Sequence, residues 1–171
     1  MIIRPSQKLC TKIKAGSLST LPQDDNPFAD WSANLFIADR TQYILLTNTK
    51  SLYSMVMYGK GISDDSTFIE RVLSSLREFL ADDGQQFTYR RFIAPASGTV
   101  AFAKTLNRSV TGSMNDLIFH AKAWLIEVDL SPYDVGFKLN DIPFSSLGYA
   151  KPKDAFKALN TAQAIQDDNE S

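Results

Sequence analysis

Two windows of the chain carry apolar residues at helical spacing, and several shorter ones carry the dense or alternating apolar runs of strands. In the first helical window, Phe68, Ile69, Val72, Leu73, Leu76, Phe79 and Leu80 fall on one side of a helix running to Gly84. Thr67 and Glu70 have the T-x-x-E spacing of a capping box, in which each side chain satisfies a free backbone N–H of the first turn. The second window, "SMNDLIFHAKAWLIEV", puts Met114, Leu117, Ile118, Ala121, Leu125 and Val128 on an inner face. Phe119 and Ile126 widen that face, so burial on more than one flank is expected.

Strand signals come in quick succession earlier in the chain. Ala33–Ala38, Gln42–Asn48 and Leu52–Tyr58 are β-prone runs separated by the turn-like "DRT" and "TKS". Connections this short favour antiparallel hairpins over crossovers. Thr99–Lys104 and Tyr133–Leu139 read as further strands, and the apolar run Met1–Ile3 as another. After Pro5, Ser6 is placed to cap a short helix to about Ile13, and a last helix is expected from Pro152 to about Leu159. Residues 15–30 have loop composition, residues 85–98 fit strand and helix about equally with a turn at "PASG", and the acidic residues 161–171 read as a frayed tail. The expected fold is one α+β domain over residues 1–160. It has a mainly antiparallel sheet, a three-strand meander plus further strands, packed by two long and two short helices.

Composition adds exclusions. Hydrophobic residues at 44% and charged residues at 22% of 171 are those of a globular chain. A formal charge of −1 argues against holding nucleic acid or anionic lipid by bulk charge. The single cysteine, Cys10, has no internal disulfide partner, and with a single histidine it cannot build a Cys/His zinc site. No secretory signal pattern and no stretch of about 20 apolar residues appears, so a cytoplasmic protein without a membrane partner is expected. Arg4, Lys8, Lys12 and Lys14 form a basic block in the first fourteen residues.

The densest polar stretch is "TLNRSVTGSMND", Thr105 to Asp116. A Gly ahead of a helix start, with Arg108 as a bidentate donor and Ser109, Thr111 and Ser113 as hydroxyls, has the ingredients of an anion cradle. It lacks the G-x-x-x-x-G-K-[ST] pattern, and no G-x-G-x-x-G occurs in the chain. The simpler expectation makes Ser113 the N-cap with Asp116 at N3, leaving Asn107 and Arg108 unneeded by the cap. Ser113, Asp116 and His120 share a helical face, but Asp sits between the other two, and Ser113 to His120 spans roughly 10 Å of rise. A catalytic triad is therefore excluded, and Asp116 with His120 reads as an i,i+4 pair on the outer face. The Asp-Asp pairs at 24–25, 64–65, 82–83 and 167–168 lack the alternating ligands of a calcium loop. Arg90 and Arg91, between Tyr89 and Phe92, mix charge with stacking surface. Trp31 and Asn34, at a strand start, are candidates to line a pocket. No metal and no cofactor is implied.

Three spaced motifs carry a resemblance. They are "W-x-A-N-L" (Trp31, Ala33, Asn34, Leu35), "K-T-x-N-R-S-V-x-G-S-M-N-D" (Lys104, Thr105, Asn107 to Val110, Gly112 to Asp116) and "P-x-x-x-L-G-Y-x-x-P" (Pro143, Leu147 to Tyr149, Pro152). Together they resemble an uncharacterised bacterial family of domains of unknown function, found alone or beside plasmid- or mobile-element-type reading frames. Relatives in that family often carry His after the Trp, where this chain has Ser32, so the resemblance gives no support to a catalytic His there. It implies membership and no activity. Three readings follow. The first is a non-enzymatic binding module with Asn107, Arg108, Ser109, Ser113, Asn115, Asp116, Trp31 and Asn34 as candidate contacts for a protein or anionic small-molecule ligand. The second is a small hydrolase or nuclease using Arg108, Asp116 and His120 on a phosphate-bearing substrate. The third is a nucleic-acid-associated regulator of a mobile element.

Overall fold

The computed structural model describes residues 1–159 and has one five-stranded sheet with helices on both faces. The strands are β1 (Ile2–Pro5), β2 (Asp30–Ala38), β3 (Thr41–Asn48), β4 (Ser54–Tyr58) and β5 (Ala101–Phe102), in the order β4-β3-β2-β1-β5. β2, β3 and β4 form the expected antiparallel meander. Ala38 pairs with Thr41, leaving Asp39 and Arg40 as a two-residue turn with φ of 47° and 64°. Positive φ at both central residues is the turn conformation whose twist matches that of a hairpin. β1 runs parallel to both β2 and β5, so the shorter ladders are parallel and the longer ones antiparallel. The α+β class is as expected.

The sheet divides the core in two. On one face Ile3, Trp31, Ile44, Leu46, Met55 and Met57 pack under α1 (Gln7–Ile13), α2 (Asp65–Asp82) and the helical residues 152–159. On the other, Phe36, Tyr43, Leu45 and Val56 pack under α4 (Arg108–Ile126). Burial on both faces explains why β3 reads as the continuous run "YILL" instead of an alternation.

Several expectations need correction. Residues 133–139 are helical, within α5 (Pro132–Leu139), with Pro132 in the first turn and the Ser131 hydroxyl accepting from the Asp134 N–H at 3.1 Å. The apolar positions Tyr133, Val135, Phe137 and Leu139 fit period 2. They also fit two i,i+4 pairs, and the helix wins by packing on the Ser54–Met55 end of the β4 edge. Tyr133 and Phe137 face the first core, while Val135 and Leu139 face the second. Gly136 makes this approach feasible, since a Cβ there would meet the Phe79 ring at 2.8 Å and the Met55 Cα at 3.2 Å. Of residues 85–98, all but Gln85 are helical: α3 (Gln86–Thr88), a π-turn (Tyr89–Ile93) and a 3-10 turn (Ala94–Gly98). The strand expected at 99–104 shrinks to β5.

The start of α2 also differs. Asp64, not Thr67, is its cap, and the Asp64 carboxylate accepts from the Thr67 N–H at 2.8 Å. Along α4, Phe119 and Ile126 are exposed at 74% and 51%, so that helix is buried on one flank only; Val128 lies beyond its end, in solvent. Ser6 caps α1 as expected, and residues 152–159 form the expected last helix. The acidic tail lies outside the described residues.

Candidate functional site

The polar stretch from Lys104 to Asp116 is set in place by a buried arginine. Arg4 on β1 spends all five guanidinium N–H groups inside the protein. It forms a bidentate pair with Asp30, at 2.9 Å for each bond, and donates to the carbonyls of Leu21, Pro22 and Lys104. Asp30 also accepts from the Thr49 hydroxyl at 2.7 Å and the Asp24 N–H at 3.0 Å, and Ser32 shares a hydroxyl contact with Thr49. A charge pair this deep is tolerable because every donor and acceptor is met. Through the Lys104 carbonyl it also fixes where the chain leaves the sheet for α4.

That helix begins six residues earlier than the Ser113 cap would place it. Asn107 is its N-cap, and its side-chain oxygen accepts from the Val110 N–H at 3.0 Å. Ser113 lies inside the helix, buried, with its hydroxyl 3.3 Å from that of Ser146. Val110, Met114, Leu117, Ala121 and Leu125 face the core, so Arg108, Thr111, Gly112, Asn115 and Asp116 face solvent. Arg108 makes no hydrogen bond or ion pair among the described residues. Asn107 is thus consumed by the cap and Ser113 by packing. Arg108, Ser109, Asn115 and Asp116 remain available.

The third sequence motif folds back onto this helix as a hook. The Phe144 carbonyl accepts from the N–H groups of Leu147 and Tyr149, at 3.0 and 2.8 Å, and the Phe144 N–H donates to Ala150 at 3.2 Å. Phe144 itself is buried against α4's core. Closing the hook puts Gly148 and then Tyr149 in the left-handed region, at φ 60° and 65°. A side chain there costs about 1–2 kcal/mol, and the one that bears the cost is 77% exposed.

Motif residues far apart in sequence converge here. Asp116, Phe119 and His120 from α4 meet Pro143, Phe144 and Tyr149 around a concavity of about 300 Å³. Phe119, His120 and Trp124 form a row of rings, with centroids 5.7 and 6.0 Å apart. Beside it, Asn107, Ser109, Ser113, Ser146 and Leu147 line a smaller space of about 110 Å³ with Thr49 and Lys50. Phe119 and Tyr149, the two most exposed apolar rings, were not among the contacts expected from sequence. The signal for Phe119 was its place off the inner stripe of the helix.

Other candidate residues are placed elsewhere. Trp31 is fully buried, with its indole N–H donating to the Phe28 carbonyl at 2.7 Å, and so lines no open pocket. Asn34 is half-buried on β2. The Phe92 ring stacks on Phe28 at 4.9 Å beneath the Arg91 guanidinium, which withdraws it as a stacking platform. The N-terminal basic block is broken up, with Arg4 buried on Asp30 and Lys12 donating to Gln42. The described Asp-Asp pairs do structural work: Asp24 accepts from the Asn26 N–H, Asp83 from Tyr53, and Asp82 from Tyr133. Burial first and the facing carboxylates second push both tyrosine hydroxyls above their ordinary range. Among the described residues no group of three or more His, Cys, Asp or Glu side chains is placed to hold a metal ion, and no helix is long and apolar enough to cross a membrane.

The molecule is therefore an α+β domain of three layers, a sheet between two helical layers, with an aromatic-rimmed concavity where α4 meets the 144–150 hook. It belongs to the family described as a domain of unknown function (DUF6933), which matches residues 2–155. No curated protein and no solved structure matches the chain.

Proposed function

We propose that this domain is a non-enzymatic binding module whose contact face is the outer side of α4 together with the 144–150 hook, and that its partner is a protein. The observation that carries this reading is the exposure of Phe119 and Tyr149 across one concavity, the second ring held out on a strained backbone. Exposed aromatics grouped around a depression, with charged residues at the rim, are the composition of interaction hot spots. Asp116 lines the concavity and favours a partner anchor that carries a hydrogen-bond donor or positive charge, while Arg108 and Asn115 extend the exposed face of α4 beyond it.

The geometry gives less to a hydrolase. Arg108, Asp116 and His120 are spread along roughly 18 Å of one helix, which is too far for all three to address one phosphoryl group. Co-purification with tagged wild type and with Phe119→Ala/Tyr149→Ala tests the binding reading. A partner recovered only by wild type, at equal thermal stability of the two proteins, supports it. The same proteins recovered by both would refute it.

A further inference from the structure

A second cleft lies away from this face, along the edge of β4. It holds about 270 Å³ between β4, α2 and the start of α5. Met55, Met57, Phe79, Pro132 and Tyr133 make its walls mostly apolar, with Arg71 and Glu78 on its α2 side. An apolar cavity of roughly 150 Å³ is enough for benzene, so this one has room for a leucine- or phenylalanine-sized side chain and some main chain.

Its distinguishing feature is the strand edge. The Gly59 N–H donates to Gln42 and the Asn48 N–H to the Tyr53 carbonyl, so the odd-numbered residues of β4 bond to β3. Alternation sends the backbone groups of Ser54, Val56 and Tyr58 outward. Ser54 is already satisfied on that side, by the Asn140 amide at 2.8 and 3.0 Å. The Tyr58 carbonyl accepts from Arg71 at 3.3 Å. Between them Val56 offers an N–H and a C=O to the cleft. Arg71 reaches only two carbonyls, at 3.3 and 3.4 Å, and pairs with no carboxylate among the described residues.

We propose that this cleft binds the C-terminal end of an extended peptide. Its main chain pairs with Val56, an apolar last side chain enters between Met57 and Phe79, and the terminal carboxylate sits on Arg71. The spacing fits, because Val56 and Tyr58 are about 6.8 Å apart along the strand, close to the reach from a paired residue to a carboxylate on the next. Charge fixes the direction. Glu78 lies two helical turns from Arg71 and repels the carboxylate from the far end of the cleft.

The test uses acetyl-Ala-Ala-Val-Leu with a free C-terminal carboxylate, its C-terminal amide, and octanoate. Titrations are followed by calorimetry and by the backbone amide resonances of the labelled protein. The free acid is expected to bind and move the Val56 resonance, while the amide binds about tenfold more weakly or worse. Arg71→Gln should abolish the difference between acid and amide at unchanged melting temperature. No binding of the free acid at millimolar concentration overturns the proposal. Equal binding of acid and amide overturns it too, as does octanoate binding as tightly as the peptide, which would mean the strand edge is not used.

Discussion

Asn140 stands where a sixth strand would begin: its side-chain amide accepts from the Ser54 N–H at 2.8 Å and donates to the Ser54 carbonyl at 3.0 Å. Both groups are buried at the edge of β4, and α5 delivers the amide from its C-terminal end. One side chain thus closes the sheet where α5 leaves it. Asn140→Ala should strand a donor and an acceptor and cost about 2–4 kcal/mol, read from urea unfolding. A loss under half a kcal/mol would mean water replaces the amide at no cost.

Arg4 and Asp30 form the deepest charge pair among the described residues. Removing either partner leaves the other uncompensated, so Arg4→Met and Asp30→Asn should each cost about 3–5 kcal/mol. The double variant should cost less than the sum, and a double-mutant cycle measures the difference. Strict additivity would show that the two side chains act independently.

The start of α4 separates two residues that look alike on paper. Asn107→Ala should destabilise by about 1 kcal/mol and Asn107→Gly by only a few tenths, because the cap bond to the Val110 N–H is lost or its conformation kept. Ser113→Ala should be close to neutral, since its hydroxyl makes only a 3.3 Å contact to Ser146. The opposite order would restore Ser113 as the cap.

Acid should weaken the start of α2. The Thr67 N–H, then the hydroxyls of Thr67 and Ser66, hold the Asp64 carboxyl below its ordinary value of 3.8. Since the folded-state value is the lower one, its contribution is fully present above the unfolded value and is lost as pH falls through the folded one. Stability should therefore decline below about pH 4, and Asp64→Asn should decline less steeply there. Parallel acid limbs for the two proteins would remove Asp64 from the linkage.

What could be read from the chain was what repeats locally. The stripe Phe68 to Leu80 defines α2, and short turns between β-prone runs define the meander. The start of α4 is ambiguous in sequence because Asn107 and Ser113 are both good caps. Following the apolar stripe upstream to Val110, four residues before Met114, places the helix start at Arg108. In α5, Tyr133 to Leu139 satisfies both periods, and only the open edge of β4 decides between them. Arg4 and Asp30 are 26 residues apart and meet only through the parallel pairing of β1 and β2. The site shows the same division. Asp116 and Tyr149 both lie in the sequence motifs, but their meeting depends on the hook, and the hook depends on a left-handed Tyr149 that no pattern announces.

The most direct measurement of the binding face places a photoreactive phenylalanine analogue at Phe119 and, in a second protein, at Phe87, which is also exposed but lies with Phe92 on the opposite side of the sheet. After irradiation in cell extract, a discrete protein adduct should form at Phe119 and be absent at Phe87. It should disappear when Tyr149→Ala is added. No adduct at Phe119, or the same adducts at both positions, would contradict a partner seated between α4 and the hook.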